Sequence, residues 1–148
     1  MFKKILVPVD GSDESRKALE LAKGIASGGQ TTDITLLYVM NPVVFAAAVA
    51  PGEEKFISAI PEILVFRQQE ADMVLEEMAK LLADTPVQVE RKALEGHPAR
   101  TILETAKEGH YELIVMGSRG MSRLAGFLLG SVSDAVVHHA HCPVMIVR

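Results

Sequence analysis

The sequence predicts an α/β protein in which five strands form one doubly wound parallel sheet with helices on both faces. Two observations lead to this prediction. Short, continuous apolar runs alternate along the chain with longer segments in which apolar residues recur at helical spacing. The chain has 148 residues, of which 49% are hydrophobic, so it is long enough for one substantial core and short for two. We therefore expect a single domain over residues 1–148.

The first strand, helix and strand are predicted from the amino-terminal part of the chain. Lys4–Asp10 is a short apolar run that ends in a turn, as a strand buried on both faces does. Ser12 is placed to cap the following helix, which has an acidic first turn and stops at Gly28. Asp33–Met40 is rich in β-branched and apolar residues and is therefore the second strand.

The middle of the chain predicts a long connection, a helix and an edge strand. Residues 41–58 show no clear period, and their apolar run Val43–Ala50 is far too short to span a bilayer. Apolar residues recur at helical spacing over about 59–83, with Pro61 suited to the first turn. Val87–Leu94 alternates apolar with polar side chains, which is typical of a strand near the edge of a sheet.

The last third of the chain is predicted to contain two further helices, each lying between two strands. Gly96–Pro98 opens a helix that ends at Gly109. Glu112–Met116 is the fourth strand, a helix covers about Ser131–Ala140, and Pro143–Val147 is the fifth strand. Because parallel neighbours need crossover connections, this alternation indicates a parallel sheet.

Two loops after strands are the candidates for a binding site, because ligands of such sheets bind beyond the carboxyl ends of the strands. They are Pro8–Ser12 and the glycine-rich loop Gly117–Ser131. Glycine lets a main chain approach a phosphate closely, and the helix start that follows offers unpaired N–H groups at the positive end of its dipole. Ser131 could cap that helix or contact a phosphate oxygen, and Arg119 or Arg123 could neutralise charge.

Glycine content alone does not decide between a phosphate loop and an ordinary turn. The chain contains neither G-x-x-x-x-G-K-[ST] nor G-x-G-x-x-G, which counts against a P-loop hydrolase and a dinucleotide fingerprint. The motif G-x2-G-x9-G-S that starts at Gly117, however, resembles the nucleotide loop of the ATP-binding branch of the universal stress protein family. Ile5–Ser12 and His141–Val144 extend the resemblance over essentially the whole chain.

The resemblance implies the strand order 3-2-1-4-5, with the two candidate loops meeting where the order reverses. It also implies ATP as the ligand, with Mg²⁺ or Mn²⁺ held on the phosphates. The implied contacts are Pro8, Val9, Asp10, Val39 and Met116 around the nucleoside, and Gly117, Arg119, Gly120, Gly130, Ser131 and Val132 around the ribose and phosphates. Asp10 could instead be a carboxylate that caps the turn after the first strand.

Composition restricts the partners and the compartment. The net charge is -4 and the 15 basic and 19 acidic residues are mixed, so there is no basic stripe for nucleic acid. We expect a soluble cytoplasmic protein without membrane contact, because no signal peptide is visible and the single cysteine, Cys142, cannot form an internal disulfide.

Two features near the carboxyl end are candidate interaction sites. His138, His139 and His141 beside Cys142 invite a metal, but such tight spacing near a helix end points the side chains apart, so we predict no metal site. The fifth strand should lie at a sheet edge, where Val144, Met145, Ile146 and Val147 could pair with a second copy in a homodimer.

Three functions remain open from the sequence. The first, our working hypothesis, is a nucleotide-dependent stress-response or signalling module. The second is a slow ATPase or a phosphoryl or nucleotidyl transferase, for which the sequence shows no convincing general base and predicts no catalytic residue. The third is a dimeric interaction protein whose role does not depend on ATP.

Overall fold

The computed structural model describes residues 2–28, 32–42, 60–119 and 129–148 of the chain. Along them the elements are β1 (Lys4–Pro8), α1 (Asp13–Ala26), β2 (Asp33–Met40), α2 (Ile60–Lys80), β3 (Gln88–Glu95), α3 (Pro98–Glu108), β4 (Leu113–Gly117), α4 (Ser131–His139) and β5 (Val144–Val147). The strands form one five-stranded sheet in the order β3-β2-β1-β4-β5. All neighbouring strands are parallel. The α/β fold and the strand order implied by the resemblance are confirmed.

Helix α1 begins where the sequence provides a cap. The Ser12 side chain accepts a hydrogen bond from the Ser15 N–H at 3.2 Å, as predicted for a serine at this position. The apolar stripe of α1 that packs on the sheet is formed by Ala18, Leu19, Ala22 and Ala26. The helix ends at Ala26, two residues before Gly28.

The sheet separates two hydrophobic cores, because successive side chains of a strand point to opposite faces. On one face, Ile5 and Val7 of β1 pack with buried residues of α1 and α2. On the other face, Leu6 packs with Ile102 of α3 and Val136 of α4. Helices therefore cover both faces, which is the doubly wound arrangement.

Helix α2 packs on the sheet through its carboxyl-terminal half. Its buried residues are Ala71, Leu75 and Met78. Leu64 is one of the apolar residues whose helical spacing predicted this helix, but it is 44% exposed and does not belong to the buried face. The reason is that burial along this helix begins only at Ala71. Within the described ranges no helix, α2 included, combines the length and the apolar composition needed to cross a membrane.

Strand β3 forms one edge of the sheet, as its alternating sequence predicted. The expected alternation of burial is wrong, however, since Val89 is 38% exposed and the two half-buried residues, Lys92 and Ala93, are adjacent. An edge strand has a neighbour on one side only, which leaves most of its side chains in contact with water.

A short hydrogen-bond chain joins the segment before β4 to strands β2 and β3. The Tyr111 hydroxyl donates to Thr35 Oγ1 at 2.7 Å, and the Thr35 hydroxyl donates to Glu90 Oε2 at 3.2 Å. Tyr111 and Thr35 are both almost fully buried, so each needs such a partner. Glu90 lies opposite Thr35 in the β2–β3 register.

Candidate functional site

The two predicted loops meet at the carboxyl edge of the sheet. Strands β1 and β4 are parallel neighbours, and the strand order reverses there because β2 lies on the other side of β1. The Ser118 hydroxyl, just after β4, donates to Glu14 Oε2 at 2.9 Å, in the first turn of the helix after β1. This is the position at which doubly wound sheets bind ligands.

Asp10 shapes the turn between β1 and α1. Its Oδ1 accepts a hydrogen bond from the Ser12 N–H at 2.9 Å. Gly11 between them has φ 83°, a left-handed conformation that favours glycine. The structure therefore gives Asp10 the turn-capping role that the sequence left as an alternative, and places it half-buried at the edge of the candidate site.

Pro8 and Val9, both predicted to lie beside the nucleoside, stand at the end of β1 and directly after it. Val9 is 4% exposed, and its side chain packs in the core under α1 and α2. Its N–H donates to the Leu37 carbonyl at 2.9 Å. Pro8 ends β1 and has no N–H to donate. The structure therefore does not bring the Val9 side chain together with the other apolar residues predicted for the site.

Those other apolar residues do share one face. Val39, Met116 and Val132 all pack against the core beneath α3 and α4. Val39 lies one residue before the end of β2, Met116 one residue before the end of β4, and Val132 in the first turn of α4. Met116 is only 6% exposed. Together they form an apolar floor at the carboxyl edge.

Gly117 is required by a close approach inside the protein. A Cβ added there would lie 2.9 Å from the Cβ of Glu14 and 3.2 Å from its carbonyl carbon, too close for a side chain. The end of β4 can therefore pack directly against the first turn of α1. This packing explains Gly117 without a ligand.

The two ends of the glycine-rich loop are hydrogen-bonded to each other. The Ser118 carbonyl accepts from the Gly130 N–H at 2.7 Å and from the Ser133 hydroxyl at 2.5 Å. The Ser133 hydroxyl also lies 3.0 Å from the Gly130 carbonyl. These bonds hold the segment after β4 next to the start of α4.

Helix α4 begins one residue earlier than a serine cap would place it. Gly130 is the N-cap and provides no side-chain hydrogen bond, whereas Ser131 is the first helical residue and is exposed. Of the two roles that the sequence left open for Ser131, the structure does not give it the cap, because Gly130 occupies the N-cap position and its N–H is bonded to the Ser118 carbonyl. Unlike α1, α4 presents a helix start without a side-chain cap, which is a suitable place for an anion.

Arg119 is held by a residue that the sequence analysis did not select. The Arg119 N–H donates to Glu14 Oε2 at 2.7 Å, and its Nε lies 3.7 Å from Glu14 Oε1. Glu14 had been interpreted only as an acidic residue in the first turn of a helix. More than a hundred residues separate the two, so only the adjacency of β1 and β4 could have indicated the contact.

Tyr38 is a second residue that the sequence did not indicate. Burial raises the pKa of its hydroxyl, and the nearby negative charges of Glu70 and Asp10 raise it further, against the opposing effect of Arg67. Arg67 also donates to the Asn41 carbonyl at 3.0 Å. Tyr38 therefore lies among charged groups next to the Asp10 turn, and its neutral form is favoured.

Some predicted positions fall outside the described residues. These are Gly120 and Arg123 in the glycine-rich loop, the apolar run Val43–Ala50, and most of the predicted connection 41–58.

The histidines near the carboxyl end were the alternative for a metal site. Within the part of the chain that the structure describes, no three His, Cys, Asp or Glu side chains are gathered closely enough to hold a metal ion. The His138 Nδ1 lies 2.8 Å from the Asp134 carbonyl, one helical turn back.

The chain is similar to known proteins over its whole length. A sequence profile described as the universal stress protein family matches residues 1–148. Universal stress protein YxiE of Bacillus subtilis is 40% identical to this chain over 152 residues, which cover 100% of each protein.

Two solved structures have the same fold. Universal stress protein UspA from Lactobacillus plantarum superposes with a TM-score of 0.82 at 30% identity, covering 99% of this chain and 97% of that one. A universal stress protein crystallised in complex with cAMP gives a TM-score of 0.70 at 26% identity, again covering 99% of this chain and 97% of that one.

Proposed function

The chain belongs to the universal stress protein family, and from this premise we propose that it binds ATP and acts as a nucleotide-dependent stress-response or signalling module. One observation carries the proposal. The Gly130 N–H bond to the Ser118 carbonyl closes the glycine-rich loop at a helix start that lacks a side-chain cap. That helix start lies at the edge where the strand order reverses. The related structure in complex with cAMP supports an adenine nucleotide as the ligand class.

The described residues fit the two chemically different ends of a nucleotide. An adenine ring is flat and apolar on its faces, and Val39 and Met116 offer an apolar floor for it. Main-chain N–H groups at the start of α4, near Ser131 and Val132, would donate hydrogen bonds to the phosphate oxygens. Arg119 supplies positive charge. Mg²⁺ or Mn²⁺ would be held mainly by the phosphates, since no carboxylate cage is needed for it.

The geometry supports holding the nucleotide more than hydrolysing it. The Asp10 Oδ1 is bonded to the Ser12 main chain, and Glu14 is bonded to Ser118 and to the Arg119 main chain. Asp10 and Glu14 are therefore engaged in holding the turn after β1 and the segment after β4. A general base would need one of them to reach a water molecule instead. We take the binding module, and not the slow ATPase or transferase, as the function.

We further propose that one domain spans residues 1–148 and that it works as a cytoplasmic homodimer. Strand β5 has β4 as its one neighbour in the described sheet, and Met145 on it is 37% exposed. Pairing of β5 with the β5 of a second copy would cover this edge.

The test is mass spectrometry of whatever small molecule accompanies the natively purified protein. We expect an adenine nucleotide to be released on denaturation. The Gly130→Val variant should release none, because an added Cβ would already lie 3.2 Å from the Ser118 carbonyl oxygen and the bulkier valine should disturb the bond between Gly130 and Ser118. Gly24→Ala is the matched control, since a Cβ there meets nothing within 4 Å. Absence of any nucleotide from the wild-type protein, together with no effect of added Mg·ATP on stability, would refute the proposal.

A further inference from the structure

The Glu14 carboxylate holds the start of the glycine-rich loop from another part of the chain. Glu14 lies in the first turn of α1, and its side chain is 18% exposed. Its Oε2 accepts from the Ser118 hydroxyl at 2.9 Å and from the Arg119 N–H at 2.7 Å. Two donors from consecutive residues therefore converge on one oxygen, and they fix the main chain where the loop begins.

The other carboxylate oxygen has a different neighbour. Oε1 of Glu14 lies 3.7 Å from Nε of Arg119, whose side chain is 30% exposed. An ion pair that is partly shielded from water is screened by salt less than a pair on the open surface. The two oxygens thus have separate effects, because Oε2 orients the main chain whereas Oε1 balances the charge of the guanidinium.

We propose that Glu14 is a positioning residue that limits the affinity of Arg119 and the start of α4 for phosphate, because it engages Arg119 before a nucleotide does. The inference rests on the proposed nucleotide site and adds a regulatory element to it. A polyphosphate that approaches the start of α4 meets in Arg119 a cation already paired with a carboxylate. The phosphate must compete with Glu14 for that cation, so the bound nucleotide stays exchangeable.

The Glu14→Gln variant separates the two effects. Its amide oxygen can accept the hydrogen bonds that Oε2 accepts, while its amide nitrogen takes the place of Oε1 and carries no charge. Because the carboxylate charge that competes with phosphate for Arg119 is removed, we expect Mg·ATP to bind about fivefold more tightly at low salt. Adenosine, which has no phosphate, should bind as it does to the wild type. A merely structural role would change both ligands together, so the ratio of the two dissociation constants is the readout.

Two controls isolate the pair. Asp13 is an exposed residue in the same helical turn, and Asp13→Asn removes the same charge. This control should change the ratio by less than about twofold. In an Arg119→Gln background, Glu14→Gln should lose most of its effect, since its partner is then missing.

The outcomes distinguish this inference from the proposed function. If Glu14→Gln leaves the ratio at its wild-type value, or if Asp13→Asn raises it equally, the inference is wrong while the nucleotide site stands. If the wild type binds no adenine ligand, the proposed function fails and the inference fails with it.

The bond by which Glu14 holds the Arg119 N–H is measured separately, in nucleotide-free protein. Hydrogen exchange at the Arg119 amide should become faster in Glu14→Ala and stay unchanged in Asp13→Asn, and equal exchange in both variants would contradict the anchoring.

Discussion

Gly130 donates its main-chain N–H to the carbonyl oxygen of Ser118 at 2.7 Å, and this bond closes the glycine-rich loop at its base. The bond joins the end of β4 to the start of α4, so the helix start is fixed relative to the sheet. A binding site built on two rigid elements needs little reorganisation when a ligand arrives.

The first prediction concerns Gly117. Gly117→Ala places a Cβ 2.9 Å from the Cβ of Glu14, and we expect it to lower the free energy of unfolding by about 1–3 kcal/mol through overpacking. Gly24→Ala, in an open position on α1, should raise it by about 0.5–1 kcal/mol because glycine is unfavourable inside a helix. Urea denaturation of both variants measures the two changes. Equal effects in both variants would show that the contact with Glu14 does not constrain Gly117.

The second prediction concerns the buried chain from Tyr111 to Thr35 and Glu90. Thr35→Val keeps the shape of the side chain but leaves the Tyr111 hydroxyl without its acceptor, which should cost about 1–3 kcal/mol of stability. Tyr111→Phe should cost less, because Thr35 still donates to Glu90. The double variant should lose less than the sum of the single variants. Strict additivity in the double-mutant cycle would show that the two hydroxyls do not interact.

Strands β1, β2 and β4 were predictable from the sequence because most of their side chains are buried on both faces of the sheet. Asp33–Met40 is rich in β-branched and apolar residues, and β2 has the bounds that this segment indicated. The cap of α1 was also predictable, since Ser12 acts on an N–H three residues away. These are local properties, and local spacing is what the sequence displays directly.

The contacts of the site were less predictable, because they cross the chain. No spacing indicates that Glu14 meets Ser118 and Arg119. Serine is a common N-cap, yet Gly130 occupies that position in α4 because its N–H is bonded to Ser118. Whether a glycine is needed for internal packing, as at Gly117, or for a ligand also depends on neighbours that only the fold brings close.

The third prediction concerns the pH dependence of Cys142. Burial raises the pKa of its thiol above the ordinary value of 9.0. Because the neutral form is favoured in the folded state, its contribution to stability is complete below pH 9.0 and is lost as the pH rises through the folded-state pKa. The thiolate is the reactive form, so iodoacetamide should label the native protein at pH 8 more slowly than the urea-unfolded chain. Equal labelling rates in the two states would contradict this prediction.

The fourth prediction concerns the edge strand β5. Wild-type protein should be a dimer at micromolar concentration in sedimentation velocity experiments. Met145→Lys adds a charge to this edge and should shift the protein towards monomer without unfolding it. Met73 lies on α2 and is 71% exposed, so Met73→Lys is the matched control and should remain dimeric. A wild-type monomer, or equal behaviour of the two variants, would exclude pairing through β5.

Calorimetric titration of nucleotide-free protein with Mg·ATP tests the central claim most directly. We predict saturable binding of one nucleotide per chain, and a stabilisation of about 2.7 kcal/mol when the free ligand is a hundredfold above its dissociation constant. Gly130→Val should abolish the binding, and Gly24→Ala should preserve it. Absence of binding heat and of any stabilisation at millimolar Mg·ATP, in wild-type protein shown to be folded, would contradict the account.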